Sequence, residues 1–301
     1  MVNHMNLIEK IAVSKAFMKL VTFLHDNKEA VGVLTEDGAA VRPLPFADMN
    51  ALIQASREAL LAAVKGAAAT LPLSAVTLLA PIPRPRQDVI CLGINYKAHT
   101  EEAARYSSEA FTKERPIPIN FSKRVTEAVA PEGDIESHPG LVERLDYEAE
   151  LAVIIGKTAK NVMAEDAADY IFGYTVLNDV SARVLQTAHK QWYFGKSLDG
   201  FTPIGPCIVT ADEIVFPPAL HITARVNGEL RQDSTTDLLI TSIADIIEEL
   251  SSGMTLLPGT IISTGTPSGV GMGFDPPKFL KPGDVVECTI DGIGTLRNTV
   301  R

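Results

Sequence analysis

The stretch Asp146-Tyr147-Glu148-Ala149-Glu150-Leu151-Ala152-Val153-Ile154-Ile155-Gly156 constrains the fold more than any other part of this chain. Glu150 is followed by an unbroken apolar run and a glycine, the pattern of a buried strand ended by a turn. Two carboxylates therefore enter a core. Side chains alternate along a strand, so Glu148 and Glu150 point to one face with Cα atoms about 7 Å apart. Burying one carboxylate beside another costs several kcal/mol or raises one pKa, unless a cation or a donor group neutralises them. A divalent metal is the simplest neutraliser. The competing reading is a solvated strand edge on which the glutamates pair with Arg144 or Lys157.

A third acid shifts the balance towards metal. Residues 170–186 form another apolar strand that ends in a carboxylate, Asp179, where the chain turns polar. Three hard oxygen ligands with no histidine or cysteine beside them favour Mg²⁺ or Mn²⁺ over zinc, with water or substrate filling the other positions. Such a site is open and therefore catalytic in kind.

Five ordered motifs now make the chain recognisable: Leu92-Gly93-Ile94-Asn95-Tyr96 with His99 and Glu102, Asp146 to Leu151, Asn178-Asp179-Val180-Ser181-Ala182-Arg183, Gly195-Lys196-Ser197-Leu198-Asp199, and Ser263 to Gly271. In these the sequence resembles the fumarylacetoacetate hydrolase family, over roughly two thirds of its length. The details, including Gly273 to Leu280, are similar to the short bacterial-type members. The resemblance implies an α+β, mainly β fold. A mixed β-roll catalytic domain holds the metal, a small N-terminal α/β domain precedes it, and the whole assembles as a homodimer.

Composition sets the remaining bounds. The 301 residues are 46% hydrophobic and 21% charged, enough for one substantial core and a smaller domain. A formal net charge of -10 argues against nucleic acid or an anionic membrane as partner, since both need a basic face. Cys91, Cys207 and Cys288 are widely spaced and outside any metal-ligand pattern, and read as reduced core thiols of a cytoplasmic protein. No apolar run reaches the length of a membrane span, and the N-terminus lacks the features of a signal peptide.

Along the chain, residues 1–17 read as a dispensable extension before an opening strand at Leu20–Leu24. A second strand follows at Ala30–Leu34, then a helix from Met49 to Val64. Pro81 to Arg86 breaks regular structure and marks the boundary between an N-terminal domain, 1–80, and a catalytic domain, 81–301. His99 and Glu102, three apart, share a helix face on which Glu102 orients the imidazole. Residues Ala103 to Pro118 read as a lid or its hinge. Asp179, Arg183 and Gln186 are expected on one face of a short helix, where an Asp179 to Arg183 ion pair is the bland alternative. Lys196 lies in a glycine-flanked turn suited to stabilising an oxyanion. His189 and Trp192 read as packing residues. Asn227-Gly228 is a hairpin signal, and Ser242–Leu250 an amphipathic helix. The Gly-rich loop after Ser263 lacks a P-loop ending, which argues against nucleotide binding.

The resemblance assigns roles. His99, Glu102 and Lys196 are the catalytic group, Glu148, Glu150 and Asp179 hold Mg²⁺ or Mn²⁺, and Lys123, Arg183, Gln186 and Thr266 meet the substrate, with loop amides beside Thr266 taking its carboxylate. The implied chemistry is C–C cleavage in a small 2-oxo acid through a metal-stabilised enolate, as oxaloacetate decarboxylase or acylpyruvate hydrolase. Isomerisation of an unsaturated oxo-dicarboxylate such as 2-hydroxyhepta-2,4-diene-1,7-dioate uses the same enolate. The remaining alternative is a silent relative that binds the oxo-acid without turnover.

Overall fold

The structure, a computed structural model, describes residues 18–106 and 117–301. The extension over 1–17 and the centre of the expected lid, 107–116, lie outside the described residues.

The N-terminal part supplies strands β1 (Lys19–His25), β2 (Lys28–Leu34), β3 (Ala40–Pro43), β4 (Leu71–Pro72) and β5 (Thr77–Leu78). Between β3 and β4 the single helix expected over 49–64 is two helices, α1 (Met49–Gln54) and α2 (Arg57–Gly66). The cause is local. Ser56 is extended and its hydroxyl accepts from the Ala59 amide, so it starts a new helix, as Asp48 starts the first by accepting from Ala51.

Strands β6 (Val89–Gly93) and β7 (Ile119–Lys123) flank α3 (Lys97–Tyr106). Residues 103–106, expected in the lid, thus continue a helix. Short strands β8 (Asp134–Ile135) and β9 (Leu145–Asp146) lead to β10 (Ala149–Ile155) and β11 (Ile171–Asn178), the two acid-bearing strands. After β12 (Ser181–Ala182) come α4 (Arg183–Ala188), α5 (Tyr193–Lys196) and β13 (Ile204–Thr210). The hairpin β14 (His221–Val226) and β15 (Glu229–Thr235) turns at Asn227 and Gly228, both at positive φ as a tight hairpin turn requires. Helix α6 (Ile243–Gly253), β16 (Ile261–Ser263), β17 (Val285–Ile290) and β18 (Gly294–Val300) close the chain.

An 11-stranded sheet runs β4-β3-β2-β1-β13-β11-β10-β16-β6-β7, with β5 on β1. All its pairs are antiparallel except β16 with β6. Pairing of Lys19 with Val209 and of Leu20 with Ile208 joins the N-terminal strands to the acid-bearing ones. The boundary at 80/81 therefore crosses one shared sheet rather than separating two sheets. A second sheet, β15-β14-β17-β18-β8, packs its Ile222, Ala224, Cys288 and Ile290 against Leu151, Val153 and Val176 of the first. Every residue of β10 is buried, which is why it reads as a continuous apolar run. The three cysteines are buried free thiols, and burial pushes Cys207 up to about 12.

Candidate active site

The acids sit where the sheet ends. Glu148 directly precedes β10, Glu150 is its second residue, and Asp179 directly follows the antiparallel partner β11. The Asp179 amide donates to the Glu148 carbonyl, and the Glu148 amide to Asn178 Oδ1, so the two strand mouths are laced together. One carboxylate oxygen from each of the three acids lies within 4.8 Å of the others, and all three side chains are buried. Such a cluster can hold a metal ion.

Cations surround it. Lys196 Nζ donates to Glu148 Oε2 at 2.8 Å and to Asp179 Oδ2 at 2.7 Å. Arg183 Nη1 lies 2.6 Å from Glu148 Oε1, and Arg183 Nε donates to Asp146 Oδ2 at 2.8 Å. Lys123 donates to Asp179 Oδ1 at 2.7 Å. Four buried acids, Asp146, Glu148, Glu150 and Asp179, thus face three buried cations, Lys123, Arg183 and Lys196, leaving one negative charge over. The titration of the glutamates reflects this. Burial pushes the Glu148 carboxyl up, but Lys196, Arg183 and His99 together outweigh burial and hold it below the usual range. For Glu150, burial, then Asp179 and Glu148, outweigh Lys196 and raise it well above that range. An oxygen-only donor set short of one positive charge fits a hard divalent cation.

His99 and Glu102 are both buried on α3, and His99 Nδ1 donates to Glu102 Oε2 at 2.9 Å. The other oxygen of Glu102 accepts from the Gly269 amide at 2.9 Å. Helix and loop touch closely there, for a Cβ on Gly273 would stand 1.7 Å from Glu102 Oε1.

One narrow cleft gathers His99, Glu148, Glu150, Arg183, Gln186, Lys196 and Thr266. Three expectations change in detail. Lys123 is wholly buried and spends its three N–H groups on Asp179, the Val180 carbonyl and the Lys196 carbonyl, so none is left for a substrate. Asp179 is not on the helix with Arg183. Strand β12 intervenes, α4 begins at Arg183, and only Arg183 and Gln186 share a face, with Arg183 Nη1 3.1 Å from Gln186 Oε1. The Gly-rich loop does cradle carboxylates, but they belong to the protein. The Gly265 amide holds Glu150, that of Gly269 holds Glu102, and those of Gly271 and Met272 hold Asp146. The Thr266 hydroxyl donates to the Ala149 carbonyl and accepts from Gln232. Lys196 ends the short helix α5 and bridges two acids, with its third N–H free of them.

Residues missed by sequence reasoning complete the site. Ser263 Oγ donates to Glu150 Oε2 at 2.5 Å. Asp146 anchors Arg183, and its spacing of two and four before Glu148 and Glu150 was an available signal for a shared face. Leu92, Ile94, Trp192 and Met272 provide the apolar lining. Arg183 Nη2 is buried without a hydrogen-bond partner among the described residues.

Comparison with known proteins identifies the family. The family model described as fumarylacetoacetate (FAA) hydrolase C-terminal matches residues 88–301. Oxaloacetate tautomerase YisK of Bacillus subtilis (strain 168) is 51% identical over 229 residues, 76% of this chain and 74% of that protein. Among solved structures, a fumarylacetoacetate hydrolase from psychrophilic Exiguobacterium antarcticum is 39% identical, with a TM-score of 0.81 over 94% of this chain and 99% of that one. A 2-hydroxyhepta-2,4-diene-1,7-dioate isomerase from Mycobacterium marinum is 35% identical, with a TM-score of 0.73 over 94% and 98%.

Proposed function

We propose that this chain, which belongs to the fumarylacetoacetate hydrolase family, is a divalent-metal enzyme that enolises small 2-oxo dicarboxylates, with keto–enol interconversion of oxaloacetate as its leading reaction. The observation that carries the reading is one cleft holding both a carboxylate-oriented histidine and a buried acid cluster short of one positive charge. The oxaloacetate tautomerase of B. subtilis, half identical over the matched residues, supports the choice of substrate.

Mg²⁺ or Mn²⁺ held by Glu148, Glu150 and Asp179 supplies Lewis acidity towards the carbonyl and carboxylate oxygens of a 2-oxo acid. His99 directs its Nδ1 proton to Glu102, so Nε2 is the nitrogen that takes a proton from the carbon beside the carbonyl and delivers it to the carbonyl oxygen, the reverse transfer restoring the keto form. Glu102, itself pinned by the Gly269 amide, stabilises the imidazolium meanwhile. The third N–H of Lys196 serves the oxygen on which negative charge develops. Arg183 Nη2 takes a substrate carboxylate, with Gln186 alongside. Lys123 acts from behind, fixing Asp179, and Thr266 shapes the wall of the cleft.

A second reading is C–C cleavage, as decarboxylation of oxaloacetate or hydrolysis of an acylpyruvate. The same imidazole favours it, since Nε2 is equally able to deprotonate a water. Isomerisation of a longer oxo-dicarboxylate draws support from the M. marinum relative. The proposal includes a homodimer with its catalytic unit in residues 81–301 and a cytoplasmic place. Among the described residues no helix is long and apolar enough to cross a membrane.

The test follows the ultraviolet enol band of oxaloacetate and pyruvate release in parallel, with Mg²⁺ or Mn²⁺ and with chelator, beside acetylpyruvate. Fast metal-dependent relaxation of the enol band without matching pyruvate supports the tautomerase. Pyruvate formed in step makes cleavage the main reaction, and no acceleration with either metal sinks the proposal.

A further inference from the structure

Gln232 is the one fully buried residue of β15, a strand at the edge of the second sheet. An apolar side chain is the ordinary occupant of such a place, as Ile222, Ala224 and Val226 are on the neighbouring β14. The backbone aims the glutamine. A register shift between Ala224 and Arg225 leaves Arg231 without an opposite residue, and such a bulge redirects the side chains beside it. The glycine loop lies directly against this point, for a Cβ on Gly269 would stand 1.9 Å from the Arg231 carbonyl oxygen.

The side chain closes a ring of hydrogen bonds around Ala149, the residue between Glu148 and Glu150. Gln232 Oε1 accepts from the Ala149 amide at 3.0 Å, and its Nε2 donates to Thr266 Oγ1 and to the Pro267 carbonyl, both at 2.8 Å. Thr266 Oγ1 in turn donates to the Ala149 carbonyl at 2.9 Å. Ladder pairing of β10 with β16 runs only from Ile154 to Ala152, and the Thr264 amide meets the Leu151 carbonyl just beyond. Ala149 lies past that end, so side chains take the backbone groups that a longer partner strand would have taken. Both N–H groups of the Gln232 amide are spent on the loop, and none is left for the cleft.

We propose that Gln232 is a positioning residue for the ion site: by pinning Ala149 it fixes the separation of the Glu148 and Glu150 carboxylates and so favours a small ion over a large one. The inference rests on the reading of the acid cluster as a divalent-metal site and adds what tunes it. Glu148 is otherwise held through its amide on Asn178, and Glu150 through Ser263 and the Gly265 amide, whereas Gln232 acts on the link common to both. Mg²⁺ demands near-octahedral geometry with short bonds, while Ca²⁺ accepts more ligands in looser arrangements. A strand mouth held still therefore selects the smaller ion, and a loosened one surrenders that preference.

The test measures Mg²⁺, Mn²⁺ and Ca²⁺ binding by calorimetry for wild type, Gln232→Met, Thr266→Val, the double variant and Thr266→Ser, all in the full chain. Circular dichroism and melting in chelator establish that each variant is folded, and the two Thr266 variants carry the comparison if Gln232→Met does not fold. Gln232→Met and Thr266→Val each open the ring and should lower Mg²⁺ affinity by roughly tenfold, with Ca²⁺ affinity changed much less. The double variant should lose no more than the worse single one, since both break the same ring. Thr266→Ser keeps the hydroxyl and should retain the wild-type preference. Folded variants with unchanged Mg²⁺ affinity, or with Mg²⁺ and Ca²⁺ affinity lowered in parallel, overturn the inference and leave Gln232 a packing residue beside an intact metal site. A wild type that binds neither Mg²⁺ nor Mn²⁺ removes the metal reading and the inference with it.

Discussion

Binding of a divalent ion should expel about one proton from this protein. Four buried carboxylates meet three buried cations in the cluster, and the shortfall falls on Glu150, whose carboxyl burial, Asp179 and Glu148 raise well above its ordinary value of 4.5. Glu148 is held below that value, because Lys196, Arg183 and His99 outweigh its burial. The proton of the metal-free cluster is therefore held by Glu150 to a pH well above 4.5, and the ion takes that proton's place. One proton lost per ion makes affinity climb about tenfold, or about 1.4 kcal/mol, for each pH unit below the folded pKa of Glu150. Mg²⁺ titrations by calorimetry at several pH values, in two buffers of different ionisation enthalpy, give both the proton count and the slope. Stability of the metal-free protein carries the same signs. The Glu150 contribution is fully present below 4.5 and is lost as pH rises through its raised folded value. The Glu148 contribution is present above 4.5 and is lost as pH falls through its lowered one. Affinity that stays flat as pH rises from 4.5, with no proton released, would refute the charge count.

Two further substitutions probe the same framework. Lys196→Met removes the ammonium between Glu148 and Asp179 and should destabilise the metal-free protein by about 3–5 kcal/mol, with saturating Mg²⁺ restoring part of the loss. Equal melting of variant and wild type in chelator would contradict it. Gly273→Ala puts a methyl group where Glu102 Oε1 now lies and should lower kcat by roughly 10²-fold through a displaced His99, with little change in the melting midpoint. Unchanged kcat would mean that Glu102 does not orient the histidine.

What the sequence disclosed was whatever periodicity and short spacing encode. The apolar run after Glu150 and the one before Asp179 marked two core strands with acid at their mouths, and antiparallel pairing then brought those mouths together. His99 and Glu102 were legible as an i, i+3 pair, and Asn227-Gly228 as a turn. Partners far apart in the chain were not legible. Lys123 meets Asp179 across 56 residues and Arg183 meets Asp146 across 37, and no local pattern says which buried cation will face which acid. The break at Ser56 was missed because alanine and leucine on both sides sustain one helical period across a capping residue. The pairing of β1 with β13 was hidden for the same reason as the ion pairs, being a contact between residues about 190 positions apart.

The loop from Ser263 to Gly273 shows why the site needs so many glycines without being a phosphate cradle. Its amides act as fixed donors to three carboxylates in different places: Glu150 in the acid cluster, Glu102 behind the histidine, and Asp146 behind Arg183. A backbone amide has no rotamer to lose and does not titrate, so it sets an oxygen in place without the entropy cost of a side-chain donor. The close approach this requires is incompatible with a Cβ at Gly271, which would meet Asp146 Oδ1 at 2.6 Å, as at Gly273. One segment thereby fixes the acid cluster, the His99–Glu102 pair and Arg183 relative to one another. On the proposed reading, a shift in this loop disturbs metal affinity, proton transfer and substrate binding together.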